Sequence, residues 1–208
     1  MYTGNNSDNK AVTGVGFQPD FVWIKKRDQN GSGGAGHLRT NSVVGAGTGK
    51  SLYHDSATVG TNDAYGRMES FDTSGFTVAK GTDSTAPNNL VNDSGSAYVA
   101  WCWKAGGAPA SDGVAMVDGT ATTTAALKTA VSATITPTRM SVNTQAGFSI
   151  ISYTGPGTGT AATLPHGLGK ETEFVITKST DNAYNWMIYK KNVLNAIKFY
   201  GNCDYSKY

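Results

Sequence analysis

The chain has 208 residues, only 15% of them charged, and a formal net charge of +2, against roughly a quarter charged in an average soluble domain. Its 26 glycines, with Thr, Ser and Asn supplying most of the polarity, disfavour a helical protein, because these residues are weak helix formers and strong turn formers. The near-neutral charge gives no footing for nucleic-acid binding, and no apolar run approaches a membrane span, so neither partner is expected.

Taken in chain order, the strand signals are runs of aromatic and β-branched residues with a period near two, bounded by Gly, Asn and Asp. Asp20 to Lys26 is the first strong run and His37 to Val44 is weaker. Arg67 to Phe71 and Gly75 to Ala79 flank the turn Asp72-Thr73-Ser74. Ala97 to Lys104 carries Trp101 and Trp103 on one face. From Gly106 to about Asn143 the composition becomes small and polar. This stretch reads as a connector holding a hairpin at Met116-Val117-Asp118-Gly119-Thr120 and one short helix around Ala121 to Ala130, with a strand fitting that Thr-rich run nearly as well. Phe148 to Tyr153, Glu173 to Lys178 and Asn185 to Lys190 complete the set. The pattern predicts an all-β protein of antiparallel sheets, a β-sandwich or jelly-roll. The expected organisation is a β unit over 1–107, a connector over 108–146 and a second, related β unit over 147–208.

That second unit is expected from an internal repeat. Gly14-Val15-Gly16-Phe17-Gln18-Pro19-Asp20-Phe21-Val22-Trp23-Ile24-Lys25 aligns without gaps to Gly167-Leu168-Gly169-Lys170-Glu171-Thr172-Glu173-Phe174-Val175-Ile176-Thr177-Lys178, an offset of 174 − 21 = 153. Tyr2-Thr3-Gly4 matches Tyr153-Thr154-Gly155, and Thr73-Ser74-Gly75-Phe76-Thr77-Val78 resembles Gln145-Ala146-Gly147-Phe148-Ser149-Ile150. The expectation is a partial second copy, with the chain being part of a longer polypeptide cut inside one unit at its start and inside another at its end. An intact native mass near 21.7 kDa would sink that expectation.

The motifs that could carry chemistry are weak. Gly45-Ala46-Gly47-Thr48-Gly49-Lys50-Ser51 copies the tail of a phosphate-binding loop, but Val44 stands where the first glycine is needed and no helical stripe follows. It is expected to be a surface loop. His37, His54 and His166 are scattered, and His54-Asp55 would point to opposite faces of a strand. The carboxylates Asp55, Asp63, Glu69, Asp72, Asp83 and Asp93 form no readable pair. No catalytic residue, metal or cofactor is therefore expected. The Asn-x-Ser sequons at Asn5, Asn30 and Asn92 carry no weight without a secretion signal. Cys102 reads as a small buried residue, with a Cys102–Cys203 disulfide as the alternative. Trp23, Trp101 and Trp103, in apolar strands, are expected in the core. The candidate ligand contacts, for a glycan, are Tyr53, His54, Tyr65 and Tyr184, in polar, loop-like segments.

Phe17-Gln18-Pro19-Asp20-Phe21-Val22-Trp23-Ile24-Lys25, Ser70 to Phe76, Tyr98 to Gly107 and Gly147 to Gly155 together resemble a repeated domain of predicted tail and fibre proteins of marine bacteriophages, often found beside laminin-G-like lectin modules. The resemblance covers nearly the whole chain and is weakest at about 108–143. It implies a structural part of a virion appendage, extracellular, assembled with other virion proteins and with copies of itself, a homotrimer being the usual arrangement, and touching host surface polysaccharide. A lectin-like carbohydrate-binding module is the alternative. A glycan depolymerase or a capsid decoration protein comes after that.

Overall fold

The computed structural model describes residues 1–27, 36–53, 63–157, 159–182, 184–191 and 199–200, with only the backbone at Tyr53 and at 199–200. In chain order the strands are β1 (Tyr2–Thr3), β2 (Lys10–Thr13), β3 (Phe21–Lys26), β4 (His37–Asn41), β5 (Leu52–Tyr53), β6 (Arg67–Asp72), β7 (Gly75–Ala79) and β8 (Ala97–Trp103). Next come β9 (Val114–Val117), β10 (Thr120–Thr123), the helix α1 (Thr124–Ala130), β11 (Arg139–Asn143) and β12 (Phe148–Ser152). The last strands are β13 (Phe174–Thr177), β14 (Met187–Lys190) and β15 (Phe199–Tyr200).

The protein is all-β, as its turn-rich, charge-poor sequence implies. Two sheets, ordered β1-β8-β3-β4-β5 and β2-β7-β6, supply the two sides of the main core. Val22, Ile24, Leu38 and Tyr98 come from the first sheet, Met68, Phe76 and Val78 from the second, and Leu90 and Val91 from the loop before β8. These residues alternate along their strands, so one face of each sheet is dry and the other turns outward. The β6–β7 hairpin turns where the sequence predicts it. Ser70 and Thr77 hydroxyls donate to the two oxygens of Asp72, each at 2.7 Å. Gly75 is obligatory there for space, since a Cβ would lie 2.0 Å from the Val12 carbonyl oxygen.

The loop before β8 closes one end of the sandwich through amides. Asn92 exchanges hydrogen bonds with Asn5 at 3.1 Å in both directions and donates to the Ser7 carbonyl at 2.7 Å. Asn88 Nδ2 donates to Asn6 Oδ1 at 2.6 Å. Lys26, which ends β3, is buried with its Nζ 2.8 Å from Asp93 and 3.1 Å from Asn89 Oδ1. The hydrogen bond from Lys26 holds the Asp93 carboxyl below its usual pKa. A carboxylate with a lowered folded pKa adds stability that is fully present above its unfolded pKa of about 3.9 and disappears as pH falls through the folded value. Asp93→Asn is therefore expected to melt below wild type at pH 7, and the gap should close as melts are repeated toward pH 3. A gap independent of pH would contradict this pairing.

The stretch 108–146 carries the expected hairpin and helix, and a further strand as well. Asp118 and Gly119, both at positive φ (50° and 84°), make the tight turn between β9 and β10. Thr123 caps α1 by accepting from the Ala126 N–H at 3.1 Å. β11 lies parallel to β9 and antiparallel to β12, giving the sheet order β10-β9-β11-β12 over a small core of Ala115, Met140 and Val142. The two cores meet at Ala105-Gly106-Gly107. Asp20 Oδ2 accepts from the Ala105 and Gly107 amides at 2.8 and 3.3 Å, and the Gly106 amide donates to Ser141 Oγ at 2.9 Å. The last sheet is β13-β14-β15.

Candidate functional site

The outward face of the first sheet is aromatic. Antiparallel register places Phe21 opposite Trp103 and Trp23 opposite Trp101. Trp101 is 43% exposed and Trp103 37%. This corrects the expectation that Trp101 and Trp103 lie in the core. They share a face as i, i+2 residues must, but it is the solvent face; Tyr98, Ala100 and Cys102 take the inner one. Trp23 is half-buried beneath its neighbours. Cys102 is half-buried against the main core, and burial pushes its thiol pKa up. Its pairing with Cys203 lies outside the described residues.

The rings brace one another. Trp101 tilts against Trp23 with centroids 5.4 Å apart, Trp103 stacks on Phe148 at 6.2 Å and 22°, and Phe21 meets both Trp103 and Phe148 edge-on. Trp23 donates its Nε1–H to His37 Nδ1 at 2.7 Å. The Arg39 guanidinium lies 3.9 Å from the Trp23 ring centroid and 4.3 Å from that of Trp186, so a cation is held between two indoles. Trp186, just ahead of β14, thus covers one part of the face and leaves Trp101 and Trp103 open. Such ordering fixes the exposed rings before any ligand arrives, which lowers the entropic cost of binding.

The ledge ends at a polar cleft of about 890 Å³ between the sandwich and the β9–β12 sheet. Gln18, Asn143 and Gln145 bring amides to its lining, and Lys104 and Lys170 bring cations. Lys104 follows Trp103 directly, and Asn143 is the cross-strand partner of Phe148, so cleft and ledge adjoin. Gly106, Gly107, Gly119 and Gly169 line it with bare backbone. Its two carboxylates are already engaged: Asp20 is buried on its two backbone amides, and Asp118 accepts from Thr144 Oγ1 at 2.6 Å and the Thr144 amide at 2.8 Å. The Thr144 bonds, hydroxyl first, hold the Asp118 carboxyl below its usual pKa. An aromatic shelf beside amides and cations can stack a sugar ring on its apolar C–H face while hydrogen-bonding its hydroxyls.

The tyrosines singled out from sequence stand on three separate segments of the chain. Tyr65 is exposed before β6, where its carbonyl accepts from the Leu90 amide at 3.0 Å. Tyr184 is exposed between β13 and β14, with its carbonyl accepting from Lys178 Nζ at 2.8 Å. No ring contact joins them among the described residues. Tyr53 supplies backbone to β5, opposite Leu38; its side chain and all of His54 lie outside the described residues. The phosphate-loop look-alike connects β4 to β5, not a strand to a helix. Its Gly47 amide donates to the Met68 carbonyl at 2.9 Å and its Gly49 amide to the Asp63 carboxylate at 2.6 Å, so an acidic group sits where a phosphate would have to bind. Among the described residues no three His, Cys, Asp or Glu side chains gather as a metal site, and no helix is long and apolar enough to cross a membrane.

Fold and site together define an all-β sandwich protein with an exposed aromatic face beside a polar cleft. Residues 1–201 match the model of DUF7483, a domain of unknown function, and the chain belongs to that family. No curated protein and no solved structure matches it.

Proposed function

We propose that the chain is a structural module of a bacteriophage tail fibre, spike or similar appendage, and that it meets host surface polysaccharide through the Trp101–Trp103 ledge and the cleft beside it. The virion setting rests on the sequence resemblance. The contact rests on one observation: two large aromatic rings stand exposed on one sheet face, next to amides and cations. Soluble proteins seldom leave such rings open in a group unless something covers them. A binding role is favoured over glycan cleavage, which needs two carboxylates facing each other across the substrate, whereas Asp20 and Asp118 are both tied to the protein's own donors. Association of copies, a trimer by the same resemblance, would present the ledge several times and raise avidity without new contacts.

The test is a microarray of bacterial capsular and lipopolysaccharide glycans probed with the purified chain. Saturable binding to a polysaccharide that persists in high salt is expected, because stacking and neutral hydrogen bonds are little screened. Absence of binding to any array member, with the fold intact, would count against the glycan contact and leave a purely structural module.

A further inference from the structure

A different part of the molecule carries a second inference. β13 begins at Phe174, 153 residues after the first residue of β3, and the two strands are preceded by glycine pairs in the same left-handed conformation: Gly14 and Gly16 at φ 87° and 82°, Gly167 and Gly169 at φ 73° and 67°. The order β13-β14-β15, antiparallel throughout, repeats β3-β4-β5. The surroundings differ. β3 has β8 on its other side over six paired residues, and its Val22 and Ile24 are fully buried. Among the described residues β13 has no strand on that side; Phe174 is 56% exposed, and Val175 and Ile176 are open as well. An apolar edge strand with free backbone groups is a template for another strand.

We propose that the open edge of β13 is the seat of a β8-type strand supplied by another unit of this same fold. The required strand alternates as Ala97-Tyr98-Val99-Ala100-Trp101-Cys102-Trp103 does, with small and aromatic residues on one face and large rings on the other. β3 shows what such a strand does once seated: it pairs antiparallel with Phe21 to Lys26, takes up the backbone groups of that edge, and sets Cys102 and Ala100 beside Val22 and Ile24. Paired this way, successive units join through a shared sheet, which is a way to build a fibre from a repeated module.

The probe is a synthetic peptide of residues 96–104 carrying Cys102→Ser, added to the full chain, with hydrogen exchange read at the amides of 174–177. Exchange there should slow roughly tenfold or more, saturably with peptide and at those amides in preference to the rest of the chain. A peptide of the same composition in scrambled order should leave them unchanged. Ile176→Pro, which removes a donor from β13, and the milder Val175→Lys should each abolish the effect while the melting of the main sandwich stays as in wild type. The proposal is overturned if the ordered and scrambled peptides act alike, or if saturating ordered peptide leaves the amides of 174–177 exchanging as in the chain alone.

Discussion

Tyr98→Ala is expected to destabilise the sandwich by about 3–5 kcal/mol, the usual cost of deleting a large buried ring. That lowers the melting temperature on the order of 10 °C for a chain this size. Tyr98 is fully buried and performs two tasks at once. Its ring stacks on Tyr2 with centroids 5.1 Å apart and planes within 13°, which ties β1 to the core. Its hydroxyl accepts from the Asp93 amide at 2.9 Å and donates to the Asn89 carbonyl at 3.0 Å, which fixes the loop carrying Leu90 and Val91. Tyr98→Phe keeps the ring and loses only the hydroxyl, leaving part-buried backbone groups short of a partner at about 1–3 kcal/mol. Denaturant unfolding of the two variants separates the ring from the hydroxyl. Equal losses for both would contradict this division of labour.

Gly106→Ala should be nearly as damaging, through overpacking. A Cβ at Gly106 would stand 2.1 Å from the Met116 carbonyl oxygen and 2.5 Å from that of Val142. Both belong to paired strands, so neither can retreat without breaking the small sheet. Overpacking of a tight site costs about 1–3 kcal/mol, and more when backbone must move. The strain falls on the junction between the two cores, because the Gly106 amide must stay on the fully buried Ser141. Hydrogen exchange should therefore rise first in β9 and β11, ahead of β3 and β8. Gly155→Ala, where nothing lies within 4 Å and φ is ordinary, should be neutral. Stability within about 0.5 kcal/mol of wild type for Gly106→Ala would contradict the account.

Most strands were legible because their alternation is strong. β7 lies where the sequence reading placed it, and β3, β6, β8, β12, β13 and β14 lie within its runs or a residue or two of them. β2 and β11 were not legible. Lys10 to Thr13 and Arg139 to Asn143 each carry few apolar residues among polar ones, and the core that β11 joins has only three buried members, so burial leaves little imprint on composition. The aromatic face shows the other limit. Alternation sorts Phe21, Trp23 and Lys25 from Val22, Ile24 and Lys26, but both sets end in a lysine and both contain large apolar groups, so parity alone does not say which set is inside. Size suggests the aromatics. The structure instead buries the aliphatics and Lys26, because Asp93 and Asn89 reach across to satisfy the ammonium group. That partner comes from 63 and 67 residues away and leaves no local trace. Trp186 on Arg39 and the cleft beside Trp103 are likewise long-range products.

The most direct test of the glycan contact compares two double variants on the polysaccharide that the native chain binds best. Trp101→Ala with Trp103→Ala removes the open rings, and Tyr65→Ala with Tyr184→Ala removes the exposed loop tyrosines. Aromatic anchors of this kind carry about 2 kcal/mol each when they dominate a contact, and each 1.4 kcal/mol is roughly tenfold in affinity. The account predicts that the tryptophan variant loses about a hundredfold or more while remaining folded, and that the tyrosine variant binds normally. Unchanged binding by the tryptophan variant, or loss confined to the tyrosine variant, would contradict it.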